Sequence, residues 1–219
     1  MGEDSLISSL FEEHEHSLLA VRHGETTWSA EGRFTTHTDV PLTEAGWNEA
    51  ARMASALSGV NVDFAFTSPL RRAWETAQIA LSQARLAHGP DIDDRLREAP
   101  AGPFEGMVLA SLRSGEDQLS RAYRAYDSDS KPLVPPGAEH PAVTAARLNE
   151  FLEEVEDHPG SYIVFTHGKV LRIMLCLLTS ISPLCHARFR VPTGCAIGAI
   201  RVGGTWRVID PQIRLTAIR

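Results

Sequence analysis

Two hydrophobic runs in this chain each end in a histidine followed by a glycine. The first run ends in Arg22-His23-Gly24, and the second, far downstream, ends in Thr166-His167-Gly168. Short apolar runs of this kind are typical of buried strands in a parallel sheet. Because the carboxyl ends of parallel strands lie at one edge of the sheet, we expect the two histidines to converge there. The pattern predicts an α/β protein with a reactive site at that edge.

The length and composition favour one large α/β domain. The chain has 219 residues, of which 43% are hydrophobic and 22% charged, as in ordinary globular proteins. We expect residues 1–16 to form an N-terminal extension and residues 17–219 a single domain. The apolar residues of the extension fall at helical spacing, so a docking helix and a frayed segment are both open. The polar segment of about 107–136 predicts helical pieces that form a lid.

The charge and the cysteines limit the partners of the protein. A net charge of −7 without a basic stripe argues against nucleic acid. Three cysteines, Cys176, Cys185 and Cys195, are too few for a disulfide scaffold and favour a reducing compartment. The longest apolar stretch, 170–178, is too short to cross a membrane, and the acidic N-terminus does not resemble a signal peptide. We therefore expect a cytoplasmic protein with no membrane partner, and we leave a homodimer open.

Hydrophobic periodicity predicts the main elements. Amphipathic helices are expected from about 44 to 57 and over 142–157. Their predicted inner faces are Trp47, Ala50, Ala51, Ala54 and Leu57 in the first, and Val143, Ala146, Leu148, Leu152 and Val155 in the second. The other expected elements are a polar loop over 27–41, a strand over 63–67 with a helix to about 81, a weak strand near 86–88, a helix over 169–178, and two closing strands, at least one antiparallel.

Five residues at these strand ends suit phosphoryl transfer. The reaction needs a nucleophile, cations for the phosphoryl oxygens and an acid for the leaving oxygen. His23 is the predicted nucleophile, because a neutral imidazole is available near pH 7. Arg22 and Arg72 are the predicted clamp, since guanidinium groups bind phosphate in a bidentate manner. His167 is expected to be a cationic donor, and Glu98 is a candidate general acid that spacing alone does not separate from a surface charge.

Three other interpretations use some of the same residues. Cys195 and Arg201 have the spacing of cysteine phosphatases, but the residues between them are apolar and strand-like. His23, His167 and Glu98 could ligate zinc, although the adjacent arginines would repel a dication. A non-catalytic phospholigand-binding module would keep the arginines and could dispense with His23 or Glu98. Because both are present, binding alone is the minority interpretation.

The motifs together resemble the histidine phosphatase superfamily, in its phosphoglycerate-mutase-like branch. The resemblance covers about residues 17–210 and keeps the order of the motifs. It is carried by Arg22-His23-Gly24-Glu25-Thr26 with Trp28, Gly32-Arg33, Asp39 to Gly46, Ser68 to Ala73 with Thr76-Ala77, Leu96-Arg97-Glu98 with Gly102 and Glu105-Gly106, and Thr166-His167-Gly168.

This resemblance implies a three-layer α/β/α sandwich with a mostly parallel sheet, and a phosphohistidine intermediate on His23. It also implies Arg22, Arg72 and His167 as the phosphate pocket and Glu98 as the proton donor. No metal or cofactor is expected. The predicted substrate-binding residues lie in the loop after the first strand and after the second histidine: Ser29, Arg33, Thr35, Thr36, Gly168 and Lys169.

Four positions depart from the family pattern and bear on the substrate. They are Ser29, Thr36, Lys169 and His140. Lys169 in particular suggests an additional anionic group on the substrate, and unchanged selectivity in Lys169→Ala would refute that. About seventy residues separate Glu98 from His167, fewer than is usual in mutases of this branch. Because a shorter lid admits water, we expect a phosphatase acting on a small phosphorylated metabolite, with a mutase as the alternative.

Overall fold

The computed structural model describes residues 3–128 and 132–214, and its centre is a six-stranded sheet. The strands are β1 (Ser17–Arg22), β2 (Phe64–Thr67), β3 (Asp91–Ile92), β4 (Ser161–Thr166), β5 (Cys195–Val202) and β6 (Thr205–Arg214). Their order in the sheet is β3-β2-β4-β1-β5-β6. The first four in that order are parallel, whereas β5 is antiparallel to both β1 and β6. The mostly parallel sheet and the antiparallel closing strands were both predicted.

Helices cover both faces of the sheet. They are α1 (Glu3–Glu12), α2 (Thr27–Ala30), α3 (Glu44–Ala56), α4 (Arg71–Ala80), α5 (Leu109–Ser114), α6 (Gln118–Tyr126), α7 (Pro141–Asp157) and α8 (Gly168–Leu178). Side chains of a strand point alternately to its two faces. Leu19 and Val21 accordingly join a core with α1, α3 and α4, whereas Leu18 and Ala20 join a core with α7 and α8. The predicted three-layer α/β/α sandwich is confirmed.

The N-terminal segment forms a docking helix. Ile7, Leu10 and Phe11 of α1 are buried in the core that includes Met53 and Leu57. Each large apolar side chain buried in this way contributes roughly 1.5–3 kcal/mol. The periodicity left a docking helix and a frayed segment open, and the docking helix is observed. The side chain of Leu6 lies outside the described residues.

Parts of the predicted inner faces of α3 and α7 are wrong. Trp47 is 54% exposed and Val143 is 55% exposed, and Ala51 and Ala146 also face solvent. The phase of α3 is set by close backbone packing, because a Cβ atom at Gly46 would lie only 2.1 Å from the carbonyl oxygen of Glu25. The glycine must therefore face inward, which turns the adjacent tryptophan outward.

Two local predictions between the main elements are also wrong. No strand forms at 86–88; the chain makes an isolated parallel bridge between Asn61 and Arg85, and the third strand starts only at Asp91, after Pro90. Proline lacks the amide hydrogen that a strand partner would need, which delays the pairing. The loop over 27–41 contains the short helix α2, which begins after Thr26.

The segment that was predicted as a lid contains two short helices with a core of their own. Helices α5 and α6 pack around an apolar cluster that includes Phe104, Leu112, Tyr123 and Tyr126. This cluster is separate from the two cores that flank the sheet. Residues 129–131 of the predicted lid lie outside the described part. Within the described ranges, no helix has both the length and the apolar character needed to cross a bilayer.

Candidate active site

Three parallel strands end side by side and bring the predicted histidines together. The amide of His23 donates to the carbonyl of Thr166 at 3.0 Å, and the amide of Ser68 donates to that of Phe165 at 2.9 Å. This register puts the residues that follow β1, β4 and β2 at one edge. The ring centroids of His23 and His167 are 5.2 Å apart. The convergence expected from the two histidine-glycine motifs is therefore present.

His23 has a defined tautomer, with its lone pair on Nε2. Its Nδ1 lies 2.8 Å from the carbonyl oxygen of Gly24, which can only accept, so Nδ1 carries the proton. Nε2 then has the lone pair, and Nε of Arg72 donates to it at 3.3 Å. Burial, followed by the charges of Arg72 and Arg22, lowers the pKa of His23 well below 6.5. The imidazole is thus neutral at pH 7, as a nucleophile must be.

His167 is fully buried and incompletely paired. Its Nε2 lies 2.7 Å from the hydroxyl of Ser68, while Nδ1 has no hydrogen-bond partner. Burial lowers the pKa of His167 well below 6.5, and Arg72 and His23 lower it further. The ring is therefore neutral in the ligand-free protein. The cationic form that the sequence analysis predicted requires a bound anion, whose charge would raise this pKa.

Arg72 lies fully buried at the start of α4, where backbone carbonyls orient it. Nη2 donates to Thr36 at 2.6 Å and Nη1 to Thr38 at 3.3 Å. Burial lowers the pKa of Arg72 to about 10, so the guanidinium remains charged at neutral pH. Thr76 supports the same helix turn, since its hydroxyl donates to the carbonyl of Arg72 at 2.7 Å and accepts the amide of Gly24 at 3.0 Å.

The position of the Arg22 guanidinium requires a residue without a side chain at position 168. Its Nη1 donates to the carbonyl of Val191 at 2.7 Å, and its Nε is buried without a partner. A Cβ atom at Gly168 would lie 3.2 Å from the guanidinium carbon, closer than most real contacts. The glycine of the second motif therefore makes room for the arginine of the first.

Glu98 reaches the same edge from the segment after β3. It is 6% exposed, and its two carboxylate oxygens accept the amides of Ala99 at 3.0 Å and Lys169 at 3.3 Å. The second of these amides belongs to the first turn of α8. A carboxylate held beside the phosphate pocket has the position that a proton donor to a leaving oxygen needs.

A cleft of about 360 Å³ opens beside this edge and is strongly cationic. Six basic residues line it: Arg22, Arg33, Arg113, Lys169, Arg172 and Arg190. Among the described residues that line it, Glu98 is the only acid. The imidazoles and Arg72 are absent from this lining because they lie deeper, almost without exposed surface. The site therefore has a buried floor and a basic wall.

Five of the six predicted substrate-binding residues line the cleft. They are Arg33, Thr35, Thr36, Gly168 and Lys169. Ser29 does not line it; its hydroxyl accepts the amide of Thr26 at 2.8 Å and forms a capping box for α2. The amine of Lys169 donates to the hydroxyl of Tyr126 and, at 3.2 Å, to the carbonyl of Glu139.

Sequence reasoning missed the role of Glu105. Its carboxylate accepts the amide and the hydroxyl of Thr36 and the amide of Thr38, the residues whose carbonyls hold Arg72. Burial opposes the charge of Glu105, but these hydrogen bonds outweigh it and lower the pKa below the usual value. The Glu105-Gly106 motif was a signal for this role of Glu105, although the sequence did not show which residues its carboxylate binds.

The alternative of a cysteine phosphatase site at Cys195 and Arg201 is not supported. Cys195 and Arg201 both lie in β5, so a strand rather than an anion-binding loop separates them.

Arg172 and Arg190 line the cleft although the sequence analysis did not select them as ligands. Arg172 follows Gly168 by one helical turn, and this spacing after a histidine-glycine motif was the available signal.

Fold and pocket together define an α/β enzyme class that handles phosphate at the ends of parallel strands. The model of the histidine phosphatase superfamily (branch 1) matches residues 18–211. A 2,3-bisphosphoglycerate-dependent phosphoglycerate mutase 2 of Gloeobacter violaceus is 36% identical over 173 residues, which are 76% of this chain and 77% of that protein. The chain belongs to the histidine phosphatase superfamily, and it is an enzyme of the phosphatase or mutase type.

Solved structures share the fold. The alpha-ribazole phosphatase of Shigella flexneri superimposes with a TM-score of 0.74 at 24% identity, covering 93% of this chain and 100% of that one. The phosphoserine phosphatase of Entamoeba histolytica gives a TM-score of 0.75 at 21% identity, covering 89% and 95%. At these identities the likeness concerns the fold alone.

Proposed function

We propose that this protein is a phosphatase that hydrolyses a small phosphorylated metabolite through a phosphohistidine on His23. The observation that carries the proposal is the neutral, Nδ1-protonated imidazole of His23, whose Nε2 lone pair adjoins the guanidinium of Arg72. Such an imidazole can attack phosphorus without first losing a proton. Arg22 and His167, from the ends of β1 and β4, complete the proposed phosphate pocket.

The proposed reaction has two steps. In the first, Nε2 of His23 forms a bond to phosphorus, the ester oxygen leaves, and Glu98 gives that oxygen its proton. Arg22 and Arg72 balance the charge that develops on the phosphoryl oxygens. In the second, water attacks phosphorus, Glu98 takes its proton, and the P–N bond breaks to release orthophosphate and restore His23. His167 becomes cationic only while it faces the phosphoryl group.

The choice between hydrolysis and transfer depends on access of water to the phosphoenzyme. The segment between Glu98 and His167 supplies two lid helices of six and nine residues, α5 and α6. Such a small lid supports hydrolysis. The mutase alternative is supported by the relative from Gloeobacter violaceus, which is a phosphoglycerate mutase. A phosphoglycerate-mutase-type transferase therefore remains the second candidate.

Basic residues of the cleft favour a substrate with a second anionic group. The whole chain has a net charge of −7, yet six basic residues and one acid line the cleft. Like charges held together are unfavourable until an anion neutralises them. We therefore extend the proposal to a phosphate ester that also carries a carboxylate or a second phosphate, with Arg172 and Arg190 facing that group.

Labelled esters separate the candidate activities. The protein is incubated with a ³²P-labelled phosphate ester that carries a carboxylate, and acid-labile protein-bound label, free phosphate and isomerised ester are followed. We expect label on the protein and release of phosphate, both abolished in His23→Ala. Hydrolysis that survives in His23→Ala would refute the mechanism. Isomerised ester without free phosphate would favour the mutase, and binding with neither product would favour a non-catalytic module.

The second anionic group is tested by Arg172→Gln, with the exposed Arg121→Gln of α6 as the matched control. For an ester with a carboxylate or a second phosphate, we expect kcat/KM to fall about tenfold in Arg172→Gln. For p-nitrophenyl phosphate, which has one phosphate group and no other charge, it should stay within about twofold, as for Arg121→Gln with either ester. An equal loss with both esters would contradict the second anion.

The remaining sequence predictions stay predictions. They are a cytoplasmic location, a small phosphorylated metabolite as the partner, no nucleic-acid or membrane partner, a metal-free and cofactor-free reaction, and a homodimer. Light scattering of the purified chain tests the last of these. Full activity after dialysis against a chelator tests the metal-free reaction.

A further inference from the structure

Lys169 contacts both the candidate acid and the lid. Its amide donates to a carboxylate oxygen of Glu98 at 3.3 Å, at the first turn of α8. Its side chain runs in the other direction, where the amine donates to the hydroxyl of Tyr126 and to the carbonyl of Glu139. The amine also lies 4.5 Å from the centre of the Tyr126 ring, within the range of a cation–π contact.

Among the described residues, the apolar cluster of the lid is separate from the core that contains α8. Tyr126 packs against Phe104, with ring centroids 5.5 Å apart, in a cluster that shares no residue with the core around α7 and α8. Weakly attached elements of this kind open locally at low cost in free energy. The side chain of Lys169 makes a polar contact between α8 and α6, through its bond to the hydroxyl of Tyr126.

Burial of the Lys169 amine costs free energy, so the contacts of the amine must offset that cost. Lys169 is 6% exposed, and burial lowers its pKa to about 8. The carboxylates of Glu98, Glu139 and Asp127 partly offset that burial, whereas the charge of Arg172 adds to it. The amine is thus mostly charged at pH 7, with two of its hydrogens directed at Tyr126 and Glu139. Because these hydrogen bonds occupy the amine of Lys169, it is less available to bind a substrate anion.

We infer that Lys169 is a positioning residue that tethers the lid helix α6 to the first turn of α8, where the backbone holds Glu98. The tether holds α6 against α8 in the ligand-free protein, and α6 shares an apolar cluster with α5, which lines the cleft through Leu109 and Arg113. The catalytic consequence rests on the proposed function, whereas the tether itself does not.

The tether has a specific energetic signature. Lys169→Met keeps most of the side-chain stem and removes the amine, and Tyr126→Phe keeps the ring and removes the acceptor. Each variant lowers the fraction of molecules with a closed lid, which weakens apparent substrate affinity without changing the bound complex. Both variants break the bond between the amine and the Tyr126 hydroxyl, and each also removes its own bond to the carbonyl of Glu139. Because the central bond is shared, the double variant should lose less than the sum of the two single losses.

Hydrogen–deuterium exchange of the ligand-free protein tests the tether without any substrate. We expect amides of α6 to exchange about tenfold faster in Lys169→Met and in Tyr126→Phe, with α3 unchanged as the internal reference. The double variant should increase the exchange by less than the two single effects combined. Unchanged exchange of α6 in Tyr126→Phe, or additive increases in the double variant, would overturn the tether. Tyr126→Phe also keeps the test decisive if Lys169→Met fails to fold.

Steady-state kinetics then tests the consequence for the reaction. We expect KM to rise about tenfold in both single variants, with kcat within about twofold of the wild type. A KM rise in Lys169→Met but not in Tyr126→Phe, without faster exchange of α6, would mean that the amine contacts substrate directly and would overturn the inference. If the protein hydrolyses no ester, the proposed function fails while the exchange result still decides the tether.

Discussion

The floor of the site and the wall of its cleft are built in different ways. The floor consists of His23, Arg72 and His167, which are buried and oriented by backbone or hydroxyl groups at strand ends. The wall consists of basic side chains that come from β1 and the loop after it, from the lid, from α8 and from the loop before β5. The side chains of the floor thus have a fixed geometry, whereas those of the wall contribute a positive potential without one fixed arrangement.

This difference teaches where single substitutions should matter. In the buried floor, each group has one arrangement, and moving a catalytic group by about 1 Å can cost 10²-fold in rate. In the half-exposed wall, solvent screens each charge and neighbouring cations can partly replace one another. We expect reactivity to depend on the floor and selectivity to depend on the wall.

Arg72→Lys should have the largest effect, with Arg71→Lys as its matched neighbour. Lysine keeps the charge of Arg72 but cannot contact Thr36, Thr38 and His23 together, so we expect kcat/KM to fall by about 10²–10³-fold. Arg71 is exposed and pairs with Glu75, so Arg71→Lys should stay within about twofold. Equal effects of the two substitutions would contradict the assignment of Arg72 to the floor.

Gly168→Ala should have an intermediate effect that separates activity from stability. The added methyl group would press on the guanidinium of Arg22, so we expect kcat/KM to fall about tenfold to a hundredfold. Alanine favours a helix over glycine, so the free energy of unfolding should fall by less than about 1 kcal/mol. Gly89→Ala, where a Cβ atom meets nothing within 4 Å, is the control. Normal activity in Gly168→Ala would mean that Arg22 adjusts freely.

The sequence predicted the floor better than the wall, for a physical reason. The histidine-glycine motifs end apolar runs, and parallel strands bring such ends together whatever the rest of the chain does. The wall depends on tertiary packing: Arg190 precedes β5 in a segment without periodicity, and Arg113 comes from the short helix α5 of the lid. No local pattern specifies where such side chains point.

The failures of the fold prediction have the same origin. Periodicity identified α3 and correctly placed Ala50, Ala54 and Leu57 on its inner face. It misplaced Trp47, because contact of Gly46 with the backbone of Glu25 outweighs the burial of the tryptophan. Likewise, the sequence identified Lys169 as unusual but not its contact with Tyr126, which lies 43 residues earlier. Long-range contacts between backbone or polar groups leave no periodic trace in a sequence.

Acid destabilisation should have the smallest effect. It separates the floor from the wall, because arginines of the wall do not titrate near neutral pH. Burial lowers the pKa values of His23 and His167 well below 6.5. Burial also lowers the pKa values of His16 and His186, but their contribution is common to the wild type and its variants. Below pH 6.5 the unfolded chain therefore binds protons that the folded protein excludes, so the free energy of unfolding falls as the pH falls. Between pH 6.5 and 5.5 each such histidine should contribute a loss of about 1 kcal/mol.

Urea unfolding at pH 7.5, 6.5 and 5.5 measures this loss, and His167→Gln removes one of the two contributions. We expect the decrease between pH 6.5 and 5.5 to be about 1 kcal/mol smaller in His167→Gln than in the wild type. His88→Gln, in an exposed loop, serves as the control and should leave the decrease unchanged. The same pH dependence in His167→Gln and in the wild type would mean that His167 is already cationic without phosphate. The neutral floor would then have to be abandoned, because the cation would be present before any anion binds.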